Sequence, residues 1–114
     1  MSSGTHITTW SGAMEKTQGN VTWVDFGVFV SFFIPPISAA ASTSSSTINM
    51  DTPLPSNLWP SSQREVSGWA ISGGVTVGAT FTIGTDGSVT VSISGGFSTS
   101  GTNGLPFQGI SYSK

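Results

Sequence analysis

The clearest pattern in the chain is Val75-Thr-Val-Gly-Ala-Thr-Phe-Thr-Ile83-Gly-Thr-Asp-Gly-Ser-Val89-Thr-Val-Ser-Ile-Ser-Gly-Gly-Phe97. Apolar residues fall on Val75, Val77, Ala79, Phe81 and Ile83, then on Val89, Val91, Ile93 and Phe97, with Thr or Ser between most of them. A period of two over that length marks two half-buried strands. Thr85-Asp86-Gly87-Ser88 between them is a hairpin signal, and its length sets the register. A two-residue Asp86-Gly87 loop places Ile83 opposite Thr90 and mixes apolar with polar residues on one side. A three-residue loop over Thr85-Asp86-Gly87 pairs 83 with 89, 81 with 91 and 79 with 93, so every apolar side chain faces the same way. The pattern therefore predicts a bulged turn with Gly87 left-handed, a conformation only glycine takes without strain.

Upstream, Ala13-Met-Glu-Lys16 leads through the turn-rich Thr17-Gln-Gly-Asn20 into Val21-Thr-Trp-Val24, which reads as a second hairpin. Apolar parity then switches from Val21 and Trp23 to Phe26, Val28, Val30, Phe32 and Ile34, which predicts a bulge near Asp25 to Gly27. Phe29 and Phe33 make the second face of that strand apolar as well. Such a strand is central in a sandwich or covers a subunit interface, so Phe29 and Phe33 are the candidate interface residues. Pro35-Pro36 ends it. Residues 38–47, Ser-Ala-Ala-Ala-Ser-Thr-Ser-Ser-Ser-Thr, read as a surface loop.

Pro53-Leu-Pro-Ser-Asn-Leu-Trp-Pro60 holds too many prolines for a strand interior and reads as a stiff crossing anchored by Leu54, Leu58 and Trp59. Residues 64–71 form a shorter strand carrying Val66 and Trp69, and residues 101–112 a final loop and strand with Phe107, Ile110 and Tyr112. The expectation is an all-β fold: a single antiparallel β-sandwich, jelly-roll-like, of six to eight strands. Residues 1–12 are expected as an N-terminal anchoring segment and residues 13–114 as the single sandwich domain.

Of 114 residues, 21 are Ser and 15 Thr, whereas only 7% are charged, against roughly 25% in average soluble domains. Three scattered basic residues, Lys16, Arg64 and Lys114, do not neutralise a run of phosphates, which argues against a nucleic-acid partner. The seven Phe and four Trp supply the apolar area that disordered chains lack. No cysteine is present, so there is no disulfide framework, thiolate metal site or cysteine nucleophile. The apolar stretch from Val21 to Ile37 is broken by Asp25, Gly27, Pro35 and Pro36 and does not reach the roughly 20 apolar residues of a membrane helix, so no membrane insertion is expected.

Chemistry-bearing residues are few. His6, the only histidine, has no neighbouring carboxylates in sequence for a metal site, and near the terminus it reads as exposed. The Gly-x-Ser-x-Gly elbow of serine hydrolases is missing. Asp86 is accounted for by its turn and Asp51 lies in a Thr/Pro loop. Glu15, Asp25 and Glu65 remain, with no motif joining them into a glycosidase pair. Gly73-Gly74 and Gly95-Gly96 fall at strand ends with no helix following, so they are not phosphate loops. No enzymatic activity, cofactor or metal is expected. The remaining feature is aromatic surface on a neutral, hydroxyl-rich chain, suited to sugar contact or to packing against copies of itself. Trp23 and Trp69, in patterned strands, read as core. Trp10, Trp59 and Tyr112 are the candidate ligand or partner contacts.

The order Lys16-Thr-Gln-Gly19-Asn20-Val21-Thr-Trp, a Phe-rich strand, Leu54-Pro55-Ser-Asn-Leu-Trp-Pro60, a Gly-rich break and Ile83-Gly-Thr-Asp86-Gly87-Ser-Val89-Thr-Val91 resembles the head modules of bacteriophage tail fibres and minor tail proteins. The resemblance runs from about residue 13 to residue 112. It implies a jelly-roll-like sandwich assembled as a homotrimer on the virion surface, attached to another virion protein of tail or capsid, and contacting a host cell-surface receptor or glycan. It carries over no catalytic residues. Fibre heads usually follow a long stalk, whereas Met1 precedes this module by only about a dozen residues. A stand-alone chain would instead dock on another virion protein, as capsid decoration proteins and short head fibres do. A decoration protein that cements the shell through Met1 to Trp10 is the alternative expectation, and a free sugar-binding lectin the third.

Overall fold

The computed structural model describes residues 1–114. Its strands are β1 (Ser2–His6), β2 (Thr9–Gly12), β3 (Thr17–Gln18), β4 (Val21–Asp25), β5 (Phe29–Ile34), β6 (Ile37–Ala40), β7 (Ile48–Met50), β8 (Arg64–Ser72), β9 (Val75–Ile83), β10 (Val89–Ser92), β11 (Thr102–Leu105) and β12 (Gln108–Ser113). A single 3₁₀ turn, Ser56–Leu58, interrupts the proline-rich crossing. The strands form two antiparallel sheets: a small one in the order β1-β4-β5-β12 and a large one in the order β3-β2-β7-β10-β9-β8-β11-β6. The fold is an all-β sandwich. Its twelve strands exceed the six to eight expected because several are only two to four residues long and carry too little pattern to read.

The β9–β10 hairpin has the register its alternation requires: Ile83 faces Val89 and Phe81 faces Val91. Gly87 has φ +82°, and the loop closes through Gly84 N–H to Ser88 O at 2.9 Å and Gly87 N–H to Gly84 O at 3.0 Å. The β8–β9 hairpin turns on Gly73 and Gly74, both at positive φ, as a two-residue hairpin loop demands. Between the sheets, Trp10, Phe81, Ile48, Ile83 and Leu105 of the large sheet meet Val21, Phe32, Ile34 and Ile110 of the small one, all fully buried. Each such side chain contributes roughly 1.5–3 kcal/mol by leaving water.

Four expectations change. The hairpin over residues 13–24 is not formed. Thr17–Gln18 is a strand, paired through Thr9↔Gln18 and Trp10↔Thr17 with β2, and at Gly19-Asn20 the chain crosses to the small sheet, where β4 pairs with β1. Gly19 must be small there, because a Cβ would strike Ile37 and the Trp10 ring. The parity switch at Asp25 to Gly27 is a tight turn rather than a bulge: β4 and β5 are a hairpin with Asp25↔Val30 and Thr22↔Phe33, closed by Phe26 N–H to Phe29 O at 2.9 Å with Gly27 at φ +94°. Residues 38–47 are not all loop. Ser38 to Ala40 belong to β6 and pair with β11, whose Gly104 lets the two backbones approach so closely that a Cβ there would collide with the Ile37 carbonyl. Finally, residues 1–12 do not stand apart from the sandwich, for β1 joins the small sheet and β2 the large one.

Candidate functional site

Strand parity sorts β8 into an inner set, Val66, Gly68 and Ala70, and an outer set, Glu65, Ser67 and Trp69. Cross-strand pairing extends the outer set into rows over the large sheet. One row runs Glu65, Thr82, Thr90, Asn49 and Ser11; the next is Ser67, Thr80 and Ser92; the third is Trp69 opposite Gly78. At the far end Asp51 accepts hydrogen bonds from Thr9 Oγ1 at 2.6 Å and Ser11 Oγ at 2.5 Å. The second and third rows border an open groove of about 690 Å³, where Ser67, Thr80, Ser92 and Ser94 surround the Trp69 indole and Gly78. No charged residue lines it. Hydroxyls there both donate and accept, and the indole adds a flat apolar face.

Trp69 is fixed from beneath. Along β8, β11 pairs only at Gly104↔Ile71, so the backbone before Ile71 lacks a strand partner on that edge. Gln108, first residue of β12, replaces one: Trp69 N–H donates to its Oε1 at 2.8 Å and its Nε2 donates to Trp69 O at 2.8 Å. Nε2 also reaches Pro106 O at 3.2 Å. The amide needs room, which Gly68 gives it, since a Cβ at residue 68 would lie 2.7 Å from Gln108 Oε1 and 2.6 Å from the Phe81 ring. Asn103 makes a comparable latch, fully buried, accepting from Gly73 N–H at 2.9 Å and donating to Ala13 O and Ser98 O at 2.7 and 2.8 Å.

The three aromatic contacts expected from sequence are not brought together. Trp10 is fully buried, its indole N–H donating to Gly19 O at 2.9 Å. Tyr112 is buried too, its hydroxyl donating to Leu58 O at 2.7 Å and its ring edge-on to Phe32. Both alternate inward along their strands, so neither offers a contact surface. Trp59 is 41% exposed, but its indole N–H is committed to Leu54 O at 2.7 Å and its ring lies where a Gly87 Cβ would be. Its role is to seat the crossing on the Asp-Gly turn. Trp69, expected in the core, is instead 57% exposed. Phe29 and Phe33 lie on the outer face of the small sheet, 41% and 38% exposed. Phe29 stacks on Phe26 with centroids 4.5 Å apart.

The titratable residues lie on separate elements. His6, expected exposed, is buried, with Nε2 donating to Thr52 O at 2.8 Å. Glu65 stands on the outer face of β8, and Glu15 donates its backbone N–H to Ala40 O. Asp25 anchors the chain end: Lys114 Nζ lies 2.9 Å from its Oδ1, while Arg64 holds Ser113 O and Lys114 O at 2.8 and 3.2 Å. The Gly27 N–H and then the Lys114 ammonium hold the Asp25 carboxyl below the usual carboxylate range. Burial, reinforced by the Asp25 charge, pushes the Tyr112 phenol well above its ordinary value. Compared with known proteins, the chain matches no family model and no curated sequence.

Proposed function

We propose that this chain is a non-enzymatic surface module of a bacteriophage particle, working as a homotrimer that attaches to material on the host cell surface. The observation that carries the reading is the outer face of the large sheet: a broad, hydroxyl-paved surface with an exposed tryptophan over an open, uncharged groove. Such a surface is built for adhesion. The phage context rests on the resemblance of the ordered motifs from Lys16 through Val91 to those of fibre-head modules. The outer face of the small sheet supports self-association. Phe29 and Phe33 are exposed there, and Phe26 and Val28 are exposed in the adjoining β4–β5 turn; an apolar cluster of this kind is usually covered.

The decoration-protein alternative relied on Met1 to Trp10 lying against a shell. Trp10 is spent in the chain's own core, which leaves only Met1 and Ile7 of that segment as exposed apolar side chains. The test has two arms. Light scattering on the native protein should give three chain masses of 11.7 kDa each, falling to one in a Phe29→Ser/Phe33→Ser double variant. The purified wild-type chain should also compete with phage for adsorption to host cells. A monomer that leaves adsorption untouched refutes the reading.

A further inference from the structure

Three aromatic residues sit directly across a strand from a glycine: Trp23 opposite Gly4, Phe33 opposite Gly109 and Trp69 opposite Gly78. In sheets an aromatic ring commonly folds over such a glycine and replaces its missing packing. The first two pairs do this, for a Cβ at Gly4 would lie 2.7 Å from the Trp23 ring and one at Gly109 2.9 Å from the Phe33 ring. The third does not. A Cβ at Gly78 would meet nothing within 4 Å, and the Trp69 indole stands off with more than half its surface in solvent. Gly78 is not at positive φ, so no turn or strain calls for glycine there. The bare floor beside an upright indole is a slot left open.

We infer that this slot, Trp69 with Gly78 and the hydroxyls of Ser67, Thr80, Ser92 and Ser94, binds an uncharged pyranose ring. The inference rests on the attachment reading above and names its ligand class. A pyranose has one face of C–H groups and a rim of hydroxyls. The electron-rich indole face takes the former, and the four Ser and Thr hydroxyls match the latter as donors or acceptors. The groove volume of about 690 Å³ is in the usual range of small-ligand sites, roughly 300–1,000 Å³. Charge sets the class. No lining residue is ionisable, Glu65 stands on the same face one outward position from Ser67, and the chain carries a net charge of −2. An acidic sugar is therefore repelled and a neutral one is not. The two hydrogen bonds between Gln108 and the Trp69 backbone fix the strand segment that carries the indole before a ligand arrives, which lowers the ordering cost of binding.

The test follows the Trp69 indole N–H by ¹⁵N–¹H correlation while the full chain is titrated with methyl glycosides of glucose, galactose and mannose, and separately with N-acetylneuraminic acid. At least one neutral glycoside should shift that resonance saturably, and N-acetylneuraminic acid should not. Gly78→Val places its Cβ in open space and its methyl groups in the slot, should fold at least as well as wild type because valine suits an extended strand, and should weaken glycoside binding at least about tenfold. Trp69→Ala should abolish saturation transfer to the sugar C–H protons. The assignment is overturned if no neutral glycoside moves Trp69, if the acidic sugar binds equally well, or if Gly78→Val binds like wild type. It is equally overturned if either variant changes the native mass, because the indole is then a contact between copies. Glycoside binding without competition for host adsorption keeps this site and sinks the attachment reading. Competition for adsorption with a silent Trp69 does the reverse.

Discussion

Replacing Gln108 with leucine tests whether one buried amide stands in for a missing strand. The side chain bonds both backbone groups of Trp69 and the Pro106 carbonyl. Leucine keeps the volume and leaves the Trp69 N–H and C=O without partners. Each buried orphan costs about 1–3 kcal/mol. Both groups are only partly buried, so the lower part of that range applies, giving about 2–3 kcal/mol in all. For a domain of this size that is a fall in Tm of roughly 10 °C. Urea unfolding followed by tryptophan fluorescence measures it directly. Gln108→Glu sharpens the reasoning, since its carboxylate can accept from Trp69 N–H but cannot donate to Trp69 O. Facing two carbonyl oxygens in a buried position, that carboxyl has a folded-state pKa raised above its unfolded value of about 4.3. The variant is therefore weak at neutral pH and recovers toward wild type as pH falls and the carboxyl gains the proton it needs to donate. A loss below about 0.5 kcal/mol in Gln108→Leu, within the range of an ordinary surface change, would refute the argument. So would a Gln108→Glu penalty independent of pH.

Three other outcomes are expected. Phe81→Ala, at a fully buried ring, should cost about 3–5 kcal/mol in the same urea experiment. Asp25 has a folded-state pKa below its ordinary value of 3.8, so the stability it adds is complete above that value and is lost as pH falls further. Asp25→Asn should flatten the acid limb of the stability-pH curve, and an unchanged limb would remove Asp25 as its source. Tyr112, the only tyrosine, has a raised folded-state pKa, so its contribution is complete below about pH 10 and is lost progressively as pH rises from there toward the folded-state value. Tyrosinate absorbance should then appear only together with unfolding, and a reversible titration near pH 10 with unchanged circular dichroism would contradict the buried bond to Leu58.

The β9–β10 hairpin was legible to the residue because two constraints agreed, alternating apolar residues and a turn that only one loop length satisfies. The β4–β5 hairpin obeyed the same rules but was hidden, because Phe26 and Val28 extend the apolar run straight through the turn. Trp69 was misplaced although its parity was visible: it shares the odd positions of Glu65 and Ser67, while Val66 and Ala70 hold the even ones. The hydrophobicity of an indole argues for the core, but its side of the strand decides. Trp10 is the opposite case, because Thr8 and Gly12 two residues to either side assign it no face, whereas Tyr112 shares the even positions of Ile110 and its inward side is visible in that alternation. The amide latches of Gln108 and Asn103 left no local signal, since each one's role depends on strands remote in sequence.

The small sheet takes its outer strands from the two ends of the sequence, β1 at Ser2–His6 and β12 at Gln108–Ser113. During synthesis the β1-β4-β5 portion can assemble early, but the β5 edge, complete at Ile34, then waits for a partner that begins only at Gln108. That edge carries Phe29 and Phe33 on one side and Val30, Phe32 and Ile34 on the other, which is the profile of an aggregation-prone template. Pairings this distant in sequence also fold slowly. Nascent chains are thus exposed to mispairing for most of their translation, and yield in the cell should respond to translation speed and chaperone supply more strongly than to changes in final stability.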